Sequence, residues 1–497
     1  MSLAILHCRA VHGVAAPEVT IEVLLSGGLP TFSIVGLAET AVRESKDRVR
    51  GAILSSGFDF PQRRITISLG PADMRKSGGR FDLAIALGIL IAGGQVAGAG
   101  LDGIEFYGEL ALNGDLRPVP GVLPAAIKAA RAGRSVIVPA ANAAEAALGK
   151  PVVRGAATLL DVTGHLNGVL TIPDVSSSDE CHEPRPLPDL CDVRGQPRAR
   201  RALEIAAAGG HNLLFCGPPG TGKSMLARRL PGILPPMSYA EALETAAVDS
   251  VLGLPFDPGG FRLRRFRAPH HSASAAALVG GGSVPMPGEI SRAHNGVLFL
   301  DELPEWSRHV LETLREPMET GCITISRAGR QAEFPARFQF VAAMNPCPCG
   351  YLGDANGECN CSADRVSRYR HRISGPLLDR TDLHVSVPRP PAAMLHADAE
   401  VPEGSASVGQ RVAAVRALRL ERAGLLNAQL DGCRLESCCR LTPSAARLLE
   451  QAMDRLALSV RGQRRVLRVA RTIADLAGQE TIGDKKIAEA LVFRGVG

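Results

Sequence analysis

The run HNLLFCGPPGTGKSMLARRL, residues 211–230, constrains the chain more than any other stretch. Its apolar start reads as a buried strand and its end as a helix. Between them Gly217, Pro218, Pro219, Gly220, Thr221, Gly222, Lys223 and Ser224 match the spacing G-x-x-x-x-G-K-S. Glycines so placed let backbone N–H groups turn toward phosphates, and the following helix adds the positive end of its dipole. The spacing lets Lys223 reach the β- and γ-phosphates and lets the Ser224 hydroxyl ligate Mg²⁺, so ATP and Mg²⁺ are the expected ligands. The competing reading, a chance glycine-rich turn, requires strand, loop, lysine, serine and helix to coincide.

Two further apolar runs end in polar residues, as strands of an open parallel sheet do where ligands bind. NGVLFLDELPEW ends its strand at Asp301 and Glu302. Asp301 is the expected Mg²⁺-supporting acid, and Glu302 the residue that orients and polarises the attacking water. FQFVAAMNP ends at Asn345, an amide suited to sensing the γ-phosphate. In ISGPLLDRTDLHVSV, Arg380 precedes another strand. Its chemistry suits an arginine finger acting on a neighbouring subunit, although an arginine in that setting is also an ordinary salt-bridge partner.

At 497 residues the chain is long enough for about two to four domains. Residues 173–190, rich in proline, serine and acid, read as a linker. Before it, residues 1–172 alternate short strands with helices. Residues 191–390 form the α/β nucleotide domain, and a Pro/Ala-rich break at 388–405 leads into an almost wholly helical end, 391–497. The start MSLAILHCRAVHG lacks the basic, apolar pattern of a secretory leader. The longest apolar run, LAIALGILIA, is roughly half a membrane span. A cytoplasmic protein without membrane partners is expected, its thiols reduced or metal-bound. The net charge of +6 permits nucleic-acid contact without requiring it.

GPPGTGKS, FLDELPE, AAMNPCPCG and GPLLDRTDLHV, in this order, resemble an AAA+ ATPase of the magnesium-chelatase group. RFRAPHHSASAAALVGGG and PGEISRAHNGVLFLDE narrow the resemblance to the YifB/ComM family, bacterial proteins linked to branch migration of DNA in natural transformation. The resemblance covers essentially the whole chain. It implies a homo-hexameric ring with ATP between subunits, Arg380 as the finger and Arg461 as a second sensor on the helical lid, with Arg464, Arg465 and Arg468 as competitors. PADMRKSGGRFDLAIALGI and YGELALNGDLRPVPGVLPAAIKAARAG resemble the Lon-protease-like domain, an α+β fold of the ribosomal S5 domain 2 type. The match puts Arg80 where that family has its serine and Leu123 where it has its lysine. Ser77 and Lys76 lie nearby, out of register. A peptidase is therefore not expected. A magnesium-chelatase-type motor that remodels a protein is the alternative.

Two insertions are candidates for touching DNA. Residues 262–289 carry Arg264, Arg265, Arg267, His270 and His271 ahead of a glycine-rich tip. GCITISRAGRQAEFPARFQF reads as a hairpin turning at 327–329, with Arg327 and Arg330 at its end. It resembles the pore-lining hairpin of the AAA+ clade that includes MCM helicases. Both would present charge to phosphates, giving salt-sensitive binding without sequence preference. A merely solvated hairpin tip is the other reading. With aromatics at only 4%, base stacking is not expected to dominate. Finally, NPCPCGYLGDANGECNC gathers four of the twelve cysteines, Cys347, Cys349, Cys359 and Cys361, as two Cys-x-Cys pairs. Four thiolates suit structural, tetrahedral Zn²⁺, with a redox sensor or plain free thiols as alternatives.

Overall fold

The computed structural model describes the chain apart from residues 177–184, 283, 328–329, 355–356, 392–393, 395–400, 457 and 495–497. The middle of the expected linker, the tip of the expected hairpin and much of the 388–405 break thus lie outside the described residues. Among those described, no helix is long and apolar enough to cross a membrane.

The first part of the chain is built on an eight-stranded mixed sheet: β1 (Ser2–Arg9), β2 (Glu18–Ser26), β3 (Thr31–Val35), β4 (Arg64–Gly70), β5 (Ile104–Phe106), β6 (Ser135–Pro139), β7 (Val153–Ala156) and β8 (Asp174–Val175), in the order β8-β7-β6-β5-β1-β2-β4-β3. Along β2 the alternation Val19, Ile21, Val23, Leu25 buries one face, as a half-covered strand should. The apolar run LAIALGILIA is helix α1 (Asp82–Ala92), which crosses that face and is buried over most of its length, and a second helix of this part is α2 (Val122–Arg131). Its Gly88 allows close approach, since a side chain there would meet Val23 Cγ2 at 2.5 Å.

The second sheet is entirely parallel. Its strands are β9 (Leu213–Cys216), β10 (Phe266–Arg267), β11 (Val297–Leu300), β14 (Gln339–Met344) and β15 (Leu383–Ser386), in the order β10-β11-β14-β9-β15; β12 (Cys322–Arg327) and β13 (Arg330–Pro335) pair separately as an antiparallel hairpin. The three central strands, β9, β11 and β14, are buried on both faces because each face has its own cover. Leu213, Phe215, Val297, Phe299, Val341 and Ala343 share a core with helix α3 (Pro197–Gly209) and the C-terminal helices. Leu214, Cys216, Leu298, Leu300, Ala342 and Met344 share another with Trp306 and the hairpin residues Ile323, Ile325 and Phe334. The period-2 pattern therefore divides the sheet between two layers.

The C-terminal helices α6 (Ser405–Ala423), α7 (Pro443–Arg455), α8 (Val460–Leu476) and α9 (Asp484–Val492) close over α3 and the phosphate-loop helix α4 (Lys223–Ile233). Two fully buried arginines anchor this bundle: Arg419 lies 3.1 Å and Arg471 2.9 Å from Asp475.

The two sheets are joined through helix α5 (Tyr239–Val251). At its C-terminal turn the Ser250 carbonyl accepts from the Gly121 N–H (2.7 Å) and the Ser250 hydroxyl from the Leu123 N–H (3.1 Å). At its other end the Tyr239 hydroxyl donates to the Leu148 carbonyl (2.7 Å). Val11 and Val14, from the loop after β1, pack on the core that holds the hairpin.

Candidate nucleotide site

The carboxyl ends of β9, β14 and β11 are adjacent, because Cys216 pairs with Met344 and Leu300 with Ala342. This register brings the loop 217–224, Asn345 and Asp301-Glu302 to one edge. Gly217 is needed for packing, since a side chain there would meet the Val387 carbonyl at 2.1 Å. Gly222 is needed for shape: at φ +88° it opens α4, a conformation that side chains resist. Lys223 Nζ donates to the carbonyls of Gly217 (2.6 Å) and Pro218 (2.8 Å) and to Asn345 Oδ1 (3.0 Å). Burial pushes its ammonium below the usual lysine range, opposed by the charge of Asp301. The Ser224 hydroxyl donates to Asp301 Oδ2 at 2.6 Å. Hydroxyl and carboxylate side by side, under backbone N–H groups at a helix start, are a donor set that fits Mg²⁺ and phosphate.

Glu302 adopts left-handed backbone angles, φ 49° and ψ 47°, at the sharp exit from β11. Its Oε2 lies 3.1 Å from His271 Nδ1. His271 belongs to the 262–289 insertion, whose three candidate arginines also have partners within the chain. Arg264 is largely buried between Glu241 (3.1 Å) and the carbonyls of Pro235 and Asn295. Arg265 is paired with Asp249, and Arg267 makes a bidentate contact with Glu289 at 2.7 Å. An arginine already matched to a carboxylate has little left to offer a phosphate. Only His270 of this group is exposed, bonded to the Ser272 hydroxyl at 2.8 Å. On the hairpin Arg327 is exposed and stands opposite Arg330 in the register, at the solvent end of the strands.

Arg380 lies at the other end of the sheet. Leu213 pairs with Leu383, so Arg380 precedes the strand that runs beside β9, whereas the phosphate loop follows β9. The four residues of β9 put roughly 13 Å of strand between the two ends. Arg380 donates to the Pro376 carbonyl (2.6 Å) and is paired with Glu319. Helix α8 is tied to the same end, with Thr472 bonded to His211 (2.8 Å) and Arg465 facing Asp379 at 3.4 Å. Arg461 is exposed one turn before Arg465. Arg464 faces Asp431 (3.5 Å), and Arg468 donates to the Leu430 carbonyl.

The four cysteines converge. All four sulfurs lie within 4.8 Å of one another, with Cys347–Cys349 at 3.3 Å, Cys347–Cys359 at 3.7 Å and Cys349–Cys359 at 3.6 Å. Sulfurs about 3.8 Å apart are what a tetrahedron with ~2.3 Å metal–sulfur bonds requires. The Tyr351 N–H, with the Cys347 thiol, draws the Cys349 thiol down to about 6. The knuckle rests on the phosphate loop: a side chain at Gly350 would meet Pro219 Cδ at 2.8 Å.

In the first domain Arg80 is buried, with its guanidinium 5.3 Å from the Tyr107 ring centroid and bonded to the carbonyls of Pro120 and Gly121. Leu123 is also buried, beneath Ser250 of α5. The Ser250 hydroxyl in turn bonds Glu145, whose carboxyl burial lifts above its ordinary range. Sequence reasoning missed two partners, His271 for Glu302 and Glu319 for Arg380. Each lies far from its mate in the chain, with no spacing that signals the contact.

Three family models match in succession. One described as subunit ChlI of Mg-chelatase covers residues 21–142, magnesium chelatase subunit ChlI covers 189–395, and the C-terminal part of that subunit covers 402–494. The chain is 51% identical over 502 residues to competence protein ComM of Haemophilus influenzae, a match spanning 100% of this chain and 98% of the relative. It is 47% identical to the uncharacterised protein YifB of Escherichia coli, over 100% and 98% of the two chains. A more distant likeness, 26% over 190 residues, joins 33% of this chain to 53% of the magnesium-chelatase 38 kDa subunit of Cereibacter sphaeroides.

Proposed function

The chain belongs to the YifB/ComM family of magnesium-chelatase-like AAA+ ATPases, and from that premise we propose that it is a cytoplasmic, hexameric, ATP-driven DNA motor. In this reading it promotes branch migration of recombination intermediates during natural transformation. The observation that carries the ATPase chemistry is the convergence of Lys223, the Ser224–Asp301 pair, Asn345 and Glu302 at one sheet edge. Lys223 exchanges the acceptors it now holds for phosphate oxygens, and Asn345, bonded to it, registers their arrival. Ser224 and Asp301 would hold Mg²⁺, which supplies charge neutralisation at the β- and γ-phosphates. Glu302 orients and polarises the attacking water. Arg380 stands too far from its own phosphate loop to serve it, so it completes the site of the neighbouring subunit, with Arg461 as a second contributor from the same end.

Residues 1–172 then form a Lon-protease-like domain without its Ser/Lys pair, 173–190 a linker, 191–390 the AAA+ domain and 391–497 the lid. The first domain is a scaffold rather than a peptidase, because buried Arg80 and Leu123 supply neither nucleophile nor base, and the Leu123 N–H is taken up by Ser250. Val11 and Val14 brace the hairpin from that domain. Cys347, Cys349, Cys359 and Cys361 would hold structural Zn²⁺, which supplies a rigid crosslink beside Pro219.

DNA is the proposed partner on two grounds: the exposed Arg327 at the hairpin end and full-length similarity to a competence protein. With Arg264, Arg265 and Arg267 engaged internally, the hairpin carries the contact. The test is ATP turnover with forked, four-way and single-stranded DNA. Wild-type protein should accelerate on branched DNA, with binding that weakens steeply with salt. Arg327→Glu with Arg330→Glu should lose that stimulation and keep basal turnover. A wild-type protein that neither binds branched DNA nor responds to it would instead favour a protein-remodelling motor of the magnesium-chelatase type.

A further inference from the structure

Helix α2 of the first domain begins without a cap of its own. Its N-cap residue is Gly121, at φ 70°, which has no side chain to accept from the first turn. The missing acceptor comes from the ATPase part of the chain. The Ser250 hydroxyl accepts the Leu123 N–H at 3.1 Å, and the Ser250 carbonyl accepts the Gly121 N–H at 2.7 Å. The same hydroxyl donates to the Glu145 carboxylate, which Asn142 Nδ2 reaches at 3.3 Å. Arg80 holds the turn from behind, donating to the carbonyls of Pro120 and Gly121. Ser250, Leu123 and Arg80 are each at most 2% exposed. The two positions where the resemblance places a peptidase's serine and lysine thus belong to a socket that the end of α5 fills. An ammonium at position 123 would lose its water there, so the base and the socket are incompatible.

Helix α5 also holds the base of the hairpin. The Arg337 N–H donates to His294 Nδ1 at 3.0 Å, which puts the ring proton on Nε2, and that proton goes to Glu244 of α5 at 3.0 Å. Arg337 follows β13 by two residues, and its carbonyl accepts the Asn295 N–H at 2.6 Å. The first domain reaches the same strand directly. Gly13, buried at φ 55°, packs on β13 so closely that a side chain there would meet the Glu333 carbonyl at 3.0 Å and Ala332 Cβ at 3.5 Å. The first domain therefore meets β13 itself through Gly13, and the residues just after β13 through Ser250 and α5.

We propose that this filled socket is a joint, with Ser250 and Gly13 as positioning residues through which the first domain fixes the hairpin relative to the ATPase core. A capping hydrogen bond is directional, so it sets the angle of α5 as well as its distance. The joint itself rests on these contacts; its consequence for DNA rests on the function proposed above.

The test uses the full-length protein with Ser250→Ala or Gly13→Ala, which act at the two contacts separately. Ser250→Ala leaves the buried Leu123 N–H without its acceptor, and Gly13→Ala sets a methyl against Glu333 at a φ that alanine resists. Neither residue touches the phosphate edge, so kcat and KM for ATP without DNA should equal those of the wild type. In both variants the backbone amides of β12 and β13 should exchange with deuterium about two- to tenfold faster, the factor that one lost hydrogen bond carries. The four-way DNA concentration that gives half-maximal stimulation should rise by about the same factor. A purely local role for Ser250 predicts faster exchange in α2 with β12 and β13 unchanged, and that pattern overturns the joint. So does wild-type exchange in the hairpin of Gly13→Ala, whether or not Ser250→Ala folds. If wild-type turnover ignores DNA, the DNA-motor reading fails, and the exchange measurement alone decides the joint.

Discussion

Arg380→Ala is expected to bind ATP normally and lose hydrolysis, and the reason lies in the register of two strands. With Leu213 opposite Leu383, Arg380 and the phosphate loop occupy opposite ends of one parallel sheet, separated by roughly 13 Å of strand. No rotamer of arginine spans that gap, so any role in hydrolysis has to be played on another subunit. Loss of an arginine finger costs about 10³-fold or more in turnover, and Glu302→Gln is expected to cost about 10²–10⁴-fold while sparing binding. Each variant alone is therefore nearly inactive. In a ring of head-to-tail contacts, a random 1:1 mixture leaves about a quarter of interfaces with an intact Glu302 from one subunit and an intact Arg380 from the next. The mixture should recover about a quarter of wild-type turnover, with a maximum near equal proportions. Phosphate release measured across a mixing series, beside titration with a fluorescent ATP analogue, reads both quantities. Glu319→Gln controls for the carboxylate that Arg380 leaves behind and should retain hydrolysis. A mixture no more active than its two parents would refute a shared site.

Zinc should co-purify at about one ion per chain, as four thiolates fill one tetrahedral shell. Serine at Cys347 and Cys361 should lower metal content and Tm together, and elemental analysis without metal in chelator-free preparations would remove the assignment. Lys223→Ala and Gly217→Ala should both abolish ATP binding, for different reasons. The first removes a charge that packs on carbonyls and should leave Tm unchanged, whereas the second drives a methyl into the Val387 carbonyl and should lower it. Equal melting temperatures by calorimetry would contradict this separation.

What could be read from the chain and what could not divide along a physical line. Loop 217–224, Asp301 and Asn345 are legible because each follows an apolar strand directly, and a parallel sheet brings such ends together whatever its loops do. The four cysteines are legible for a similar local reason, since a short glycine-containing turn can fold two Cys-x-Cys pairs onto one point. Arginines were not legible. In residues 262–289 and in α8, sequence offers rows of identical cations, and only the fold distinguishes their roles. Arg264 meets Glu241, Arg267 meets Glu289, Arg471 is buried against Asp475, and Arg461 is left exposed. A guanidinium reaches several ångströms along a flexible stem, so its partner is chosen by tertiary packing rather than by neighbours in the chain. The same holds for His271, whose link to Glu302 depends on how an insertion folds back over the end of β11. A charge-rich insertion beside an ATPase strand is therefore ambiguous from sequence: it reads as a surface for phosphates, and here Arg264 and Arg265 pair with carboxylates of α5 and Arg267 with Glu289 of the insertion itself.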